Sequence, residues 1–292
     1  MAAEKTKFDW TIEERRLELA GGKADEVLAS FGHSIPVDPW AVASSEGSRL
    51  VLRGTNVGTA FDGQIEYHPD RGKFLIFFNT KYDRDPDGHN ARTRFSIAHE
   101  LGHYYIDAHR NYLVRGGAPH GSRGEFATDL VREREADAFA ATLLLPTNDV
   151  KPIVNAQPFS LSVVEQIART FRVSLVSAAI RAVKLCHFPA AVAGLRAGAR
   201  PWLFASRAFR DAGCSRRPGD SLPSDAARKM LARFERGATD RSAADSRISE
   251  WFYTGYGDHF EDVYVTEEYV PIASMETLLV LISADENDLF KA

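Results

Sequence analysis

The sequence predicts an α+β protein: a helical core with a small antiparallel sheet, a short helix-turn-helix-like pair of helices, and a C-terminal α+β region. Three observations carry this reading. The stretches 94–105 and 130–146 have helical spacing of apolar residues, and three strand-like runs precede the first of them. Residues 160–185 then read as two short helices joined by a tight turn. Beyond residue 186, runs such as Thr277-Leu-Leu-Val-Leu-Ile282 bring strands back. A chain of 292 residues has material for one large domain or two modest ones. The expected divisions are 1–150, 151–186 and 187–292. A hydrophobic content of 44% and a charged content of 26% are ordinary for a soluble protein, and a net charge of −4 does not mark a general nucleic-acid binder. Two cysteines, Cys186 and Cys214, exclude a disulfide framework. No apolar signal region opens the chain and no run of eighteen apolar residues follows, so the expected location is cytoplasmic, without a membrane span.

Taken in order, Ile12, Leu17, Leu19, Ala24, Val27, Leu28 and Phe31 give a helix from Thr11 to Phe31, weakened at Gly21-Gly22. Pro36 and Pro39 lead into a short segment ending near Ser45. Residues Arg49–Arg53, Phe61–Tyr67 and Lys73–Asn79 read as strands, the last two joined as a hairpin by His68-Pro-Asp-Arg-Gly72. His68 and His89 fall in turn-like sequence and are expected in solvent. Asn90 ends a polar loop and is placed to cap the next helix.

That helix carries His99-Glu-Leu-Gly-His103. Histidines four apart leave one face of a helix a turn apart, so both imidazoles can reach one metal ion, conventionally zinc. Glu100, beside the first histidine, can take a proton from a water that the metal acidifies. This is the HExxH arrangement of metalloproteases, and it gives the helical core a zincin-like character. A catalytic zinc site needs a third protein ligand. His109 falls ten residues after His99, where the elongated pattern HExxHxxGxxH puts a histidine, but Ile106 stands where that pattern turns on glycine. The plainer reading of His109 is an exposed helix-end residue. The other candidate is Glu133, in the alanine-rich helix 130–145 that Pro146 ends. Its small residues let a second helix approach closely, with Gly102 as the matching gap. Glu133 is the preferred ligand. Asp137, one turn further on the same face, can accept the free N–H of a ligating histidine. Glu135 points to the opposite side and is expected in solvent.

After the metal helix, Arg110–Thr128 contains Gly116, Gly117, Pro119, Gly121 and Gly124, a length and composition that suit a flap over a cleft. His120, Tyr112 and Asn79 are the candidates to contact an oxyanion or substrate. Tyr104 and Tyr105 are less suited, because they follow the ligand rather than face substrate. In 160–185, Ser162-x-x-Glu165 is a capping box, Val164, Ile167, Ala168 and Phe171 form one stripe, and Val176, Ala179, Ile180 and Val183 continue it on a second helix. The basic bias there is mild, so a structural role is preferred to DNA binding. From Cys186 onward, strand-like pieces at Ala190–Leu195, Trp202–Ser206 and Asp262–Tyr269 and a helix at Ser224–Arg236 suggest a regulatory or substrate-recognition domain.

The block Arg94-Phe-Ser-Ile-Ala-His-Glu-Leu-Gly-His103, followed by Glu133-Arg-Glu-Ala-Asp-Ala-Phe-Ala-Ala-Thr-Leu-Leu-Leu-Pro146, resembles the ImmA/IrrE family of metallopeptidases. The two blocks together are far more specific than HExxH alone, and the resemblance is strongest from about Val37 to Leu185. It implies His99, His103 and Glu133 as ligands of zinc, or of manganese in its place, and Glu100 as the catalytic glutamate. It also implies that the helix pair of residues 160–185 packs on the protease domain. One departure is Asp107, where relatives often carry a histidine eight residues after the first ligand. By resemblance the activity is a metallo-endopeptidase whose protein substrate is a DNA-binding helix-turn-helix repressor or antitoxin, cleaved under stress or in a mobile element. In zincins an extended substrate pairs with an edge strand beside the metal, and the 61–79 hairpin is the expected strand. The alternative is a metal-binding sensor or DNA-binding regulator acting through residues 160–185 without proteolysis.

Overall fold

The computed structural model describes residues 7–84, 89–118, 121–122, 130–216, 223–254, 260 and 262–290, with side chains from Ile12 onward, Gly121 excepted. It divides into two compact units, one of residues 1–146 with 169–174, the other of 147–168 with 175–292.

The first unit opens with α1 (Lys7–Phe31) and α2 (Pro39–Ser44), followed by strands β1 (Leu50–Thr55), β2 (Gly63–His68) and β3 (Lys73–Asn79). Then come α3 (Ala91–Tyr105), α4 (Asp107–Val114), the two-residue strand β4 (Gly121–Ser122) and α5 (Val131–Leu144). The helix α1 runs unbroken through Gly21-Gly22, where the sequence suggests a weak point. The reason is a close approach: a Cβ on Gly21 would meet Thr142 Oγ1 at 3.1 Å, so the glycine lets α1 lie against α5. On its other side α5 packs on α3, and these contacts make α5 the middle of a helical layer. Asn90 caps α3 by accepting from Arg92 N at 2.9 Å. Nearly every residue of α3 from Thr93 to Tyr104 is buried, on a core that includes Leu52, Ile65, Ile76, Phe78, Ile97, Leu101, Phe139 and Leu143.

The sheet of this unit has the order β1-β3-β2-β4. β2 pairs antiparallel with β3 and β4, while β1 joins β3 in parallel, Leu50 opposite Phe74. The apolar run Phe74–Phe78 is thus an inner strand. The outer side of β2 at Gly63 and Gln64, where the hairpin was expected to present a free edge, is covered by Ser122 and Gly121.

Arg94, buried in α3, anchors two remote segments. Its guanidinium donates to Val37 O at 2.6 Å, Arg172 O at 3.2 Å and Phe171 O at 3.5 Å. Burial pushes its pKa down, and Arg172 pushes the same way.

The second unit holds α6 (Thr147–Val154), most of α7 (Leu161–Phe171) and α8 (Leu175–Leu185). There follow β5 (Ala190–Leu195), β6 (Trp202–Ala205), α9 (Arg207–Asp211), β7 (Ser215–Arg216), α10 (Asp225–Glu235), β8 (Ser242–Arg247), α11 (Ile248–Trp251), β9 (Phe252–Tyr253), β10 (Tyr264–Ile272), β11 (Thr277–Ser283) and α12 (Glu286–Leu289). Five strands form an antiparallel sheet in the order β6-β5-β11-β10-β8. Helix α8, the second of the helix-turn-helix-like pair, packs on α6, β5 and β6, with Val176, Ala178, Ala179, Ala182 and Val183 buried. Within the sheet's core, Glu267 is fully buried and accepts from Trp251 Nε1 at 2.8 Å, Ser224 Oγ at 2.9 Å and the Tyr269 hydroxyl, so its lone pairs are met by donors. Among the described residues, no helix is long and apolar enough to cross a membrane.

Candidate metal centre

The geometry that brings the site together is helical. His99 and His103 leave the same face of α3, and Glu133 leaves the first turn of α5, which lies against α3 because Gly102 has no side chain. A Cβ there would fall 3.0 Å from Ala136 Cα and 3.2 Å from Phe139 Cβ. The result is a buried group in which His99 Nε2 lies 3.2 Å from His103 Nε2 and 3.3 Å from Glu133 Oε2. His103 Nε2 is 3.7 Å from Glu133 Oε1. Among the described residues, these three form a group able to hold a metal ion, with all ligand atoms within 4.8 Å of one another.

The donor set fits a divalent ion. Ligands bonded at about 2.0–2.1 Å in a tetrahedron lie about 3.3 Å apart. The short separations match that value. Two imidazoles and a carboxylate are also the chemistry of a catalytic zinc site. Electrostatics points the same way. Burial disfavours a charged His99, yet hydrogen bonds to Asp137 and Glu133 and the nearby charge of Glu100 overcome it and raise its pKa to about 10. Burial, reinforced by His99, lowers His103 to about 3. The acidic groups Asp137, Glu133 and Glu100 around His99 thus favour positive charge at this place.

Asp137 Oδ1 lies 2.8 Å from His99 Nδ1, the contact expected of a carboxylate that orients a ligand. Glu100 is fully buried, and its Oε1 accepts from Ser122 Oγ at 2.5 Å. Gly63 of β2 forms the wall behind it; a Cβ there would sit 2.7 Å from Glu100 Oε1 and 2.9 Å from its Cγ. Sequence reasoning missed both neighbours, since a serine in a glycine-rich stretch carries no signal of its own.

Two readings of residues beside the metal group need correction. His109 is not an exposed helix end: α3 stops at Tyr105, Ile106 adopts an extended conformation, and α4 restarts at Asp107 with His109 turned inward and buried. Its Nδ1 lies 3.1 Å from His103 Nδ1, on the side of the ring away from the metal group. Glu135 is not in solvent either. It is buried, forks with Arg16 of α1 at 2.7 and 3.0 Å, and meets His109 Nε2 at 2.9 Å. Burial opposes its charge, but Arg16 and His109 outweigh burial and hold its pKa below the usual range. Periodicity put Glu135 on the face opposite Glu133; that face is covered by α1 rather than by water.

The three substrate-contact candidates fare differently. Asn79 is turned inward: its amide donates to Gly58 O at 3.0 Å and Phe61 O at 2.8 Å, and its oxygen accepts from Val57 N and Lys81 N. With both donors used to brace the 56–62 loop, it has none for an oxyanion. Tyr112 is 43% exposed, its ring 4.9 Å beneath the guanidinium of Arg132, the neighbour of Glu133. His120 lies outside the described residues. Tyr104 and Tyr105 both donate to Glu46, at 2.8 and 2.9 Å. His89, expected in solvent, is half-buried, stacked on Trp40 and bonded to Asp83 at 2.8 Å.

In sequence, residues 85–183 match the model of the Peptidase_M78 family, described as the IrrE N-terminal-like domain. No curated protein matches the chain. Among solved structures, a Mycobacterium tuberculosis transcriptional regulator is similar in fold, with a TM-score of 0.55 at 10% identity, over 93% of this chain and 78% of that one. Residues 85–183, which contain His99, Glu100, His103 and Glu133, thus form an IrrE N-terminal-like, Peptidase_M78 domain, in keeping with the resemblance to the ImmA/IrrE family.

Proposed function

We propose that this protein is a metal-dependent endopeptidase that cuts a specific helix-turn-helix repressor or antitoxin in the cytoplasm, relieving transcriptional repression under stress or in a mobile element. The observation that carries the reading is the convergence of His103 Nε2 and Glu133 Oε2 on His99 Nε2, at 3.2 and 3.3 Å, beside a buried Glu100. His99, His103 and Glu133 would hold zinc, or manganese in its place. When bound there, the ion would supply Lewis acidity toward a water and the scissile carbonyl. Glu100, which is not a ligand, takes the proton from the attacking water and passes it to the leaving amine. Ser122 and Gly63 hold its carboxylate in one position for both transfers. Asp137 keeps the outer nitrogen of His99 occupied, so that Nε2 faces the metal group. Tyr112, on the accessible side, remains our candidate for a substrate contact.

The test is incubation of the purified protein, with zinc or manganese, with the repressor encoded beside it. A single cut by wild type and none by Glu100→Gln is expected. A cut made equally by Glu100→Gln would refute the assignment of the base. The second reading, a regulator that acts without proteolysis, draws on the similar fold of the Mycobacterium tuberculosis transcriptional regulator. It predicts that Glu100→Gln leaves the effect on transcription intact.

A further inference from the structure

We propose that His109 is a positioning residue of the metal centre, at the inner end of a hydrogen-bonded chain, Arg16–Glu135–His109–His103, that fixes the tautomer and ring plane of His103. The proposal rests on the reading that His99, His103 and Glu133 hold the ion. It assigns a role to three side chains from three helices outside the HExxH motif's own residues, and it makes the N-terminal helix part of the ligand support.

The direction of each hydrogen follows from the chain's outer end. Arg16 donates to both oxygens of Glu135, from Nε at 2.7 Å and from Nη2 at 3.0 Å. A carboxylate so engaged is an acceptor only, so the hydrogen in its 2.9 Å contact with His109 sits on His109 Nε2. A neutral imidazole with its hydrogen on Nε2 has a lone pair on Nδ1. The 3.1 Å contact between the two Nδ1 atoms can then be a hydrogen bond only if His103 Nδ1 is the donor. That leaves the lone pair of His103 on Nε2, aimed at His99 Nε2 and the Glu133 carboxylate. The opposite tautomer of His109 would set its bare Nε2 against a carboxylate oxygen, two acceptors facing each other in a buried place. Asp137 does the same service for His99 directly. At the outer nitrogen of His103 stands His109, which carries the effect of Glu135 to it.

The chain is also rigid. His103, His109 and Glu135 are all buried, whereas Arg16 is 47% exposed on its side chain, so the inner links matter more than the outer one. A second ion pair, Arg134 with Glu13, joins the same two helices one residue away.

The experiment measures zinc affinity of the full-length protein by competition with a chromophoric chelator. Removing the outer partner of a metal-ligating histidine costs about 10–100-fold in affinity. His109→Phe, which keeps the ring volume without nitrogens, is expected to weaken zinc binding by that factor. His109→Asn is expected to return most of it, because the Asn oxygen occupies the place of Nδ1 and can accept from His103. Melting of the metal-free proteins checks that each is folded. An independent measurement needs no variant: long-range nitrogen–proton NMR of the wild-type histidine rings, loaded with zinc, should give His103 and His99 as Nδ1–H and His109 as Nε2–H. A His109→Phe protein that binds zinc as tightly as wild type, or a His109 ring found as Nδ1–H, overturns the proposal while the metal reading stands. A wild type that does not bind zinc overturns both.

Discussion

Gly102→Ala is the most direct probe of how the two motif helices meet. A Cβ at residue 102 would lie 3.0 Å from Ala136 Cα, 3.2 Å from Ala136 O and 3.2 Å from Phe139 Cβ. These contacts are tighter than ordinary carbon contacts of about 3.5–4.0 Å, so the neighbour must yield by a few tenths of an ångström. All three atoms belong to the backbone or Cβ of α5 and cannot rotate away, so the helix itself must retreat. Alanine gains about 1 kcal/mol of helix propensity over glycine. Overpacking of a filled interior costs about 1–3 kcal/mol. The expected net is a loss of up to about 2 kcal/mol, a fall of a few degrees in Tm for a unit of this size. The larger effect falls on the metal group. Glu133 rides on α5 and the histidines on α3, and metal sites hold their bond lengths to about 0.2 Å. A retreat of α5 should therefore weaken zinc binding on the order of tenfold, about 1.4 kcal/mol. Melting curves with and without zinc, together with chelator competition, measure both. A variant that melts at or above the wild-type temperature and binds zinc equally well would refute the close α3–α5 contact and the argument built on it.

Gly63→Ala addresses the base instead of the ligands. Its Cβ would fall 2.7 Å from Glu100 Oε1. Displacing a catalytic group by about 1 Å costs on the order of 100-fold in rate. Repressor cleavage should drop tens- to hundredfold with zinc affinity little changed, because Glu100 is not a ligand; equal losses in both would sink the separation of roles. Arg94→Met would strand the carbonyls of Val37, Phe171 and Arg172, with an expected loss of about 2–4 kcal/mol in denaturant unfolding. Arg94→Lys should recover little, since an ammonium cannot span the three acceptors; full recovery would show that charge alone suffices. In the second unit, burial raises the thiols of Cys186 and Cys214 from 9.0 to about 11. Because the folded state holds these protons more tightly than the unfolded chain, their contribution is intact below about pH 9 and lost as pH rises from 9 to 11. Thiol-reagent titration at pH 8 should find both unreactive until the protein unfolds, and rapid labelling of either in the native state would contradict their burial.

What the sequence made legible is what short-range geometry decides. The i, i+4 spacing of His99 and His103 puts two imidazoles on one face whatever surrounds them. Asp137 one turn beyond Glu133 follows from the same rule, as does the cap at Asn90. The strands around Ile76 and Leu281 are apolar enough to be read alone, whereas β8, Ser242-Ala-Ala-Asp-Ser-Arg247, carries no apolar alternation and is a strand only because β10 pairs with it. The residues misread share a different property: their fate depends on which helix covers them. Glu135 stands about 200° around the helix from Glu133, a correct inference from periodicity that says nothing about whether water or α1 lies there. His109 was judged as a continuation of α3, but one extended residue, Ile106, redirects the chain and turns an outward position inward. Asn79 ends an apolar strand near the site, and only the curl of the 56–62 loop shows that its amide is consumed there. In each case the charge or amide is local knowledge, while its partner comes from far away in sequence: 119 residues for Arg16 and Glu135. A buried polar residue is tolerable only with such a partner, so the appearance of His109 and Glu135 in the interior is itself an argument that they act together. Their hydrogens can run in only one direction from the Arg16 fork, and that direction ends at the ring of His103.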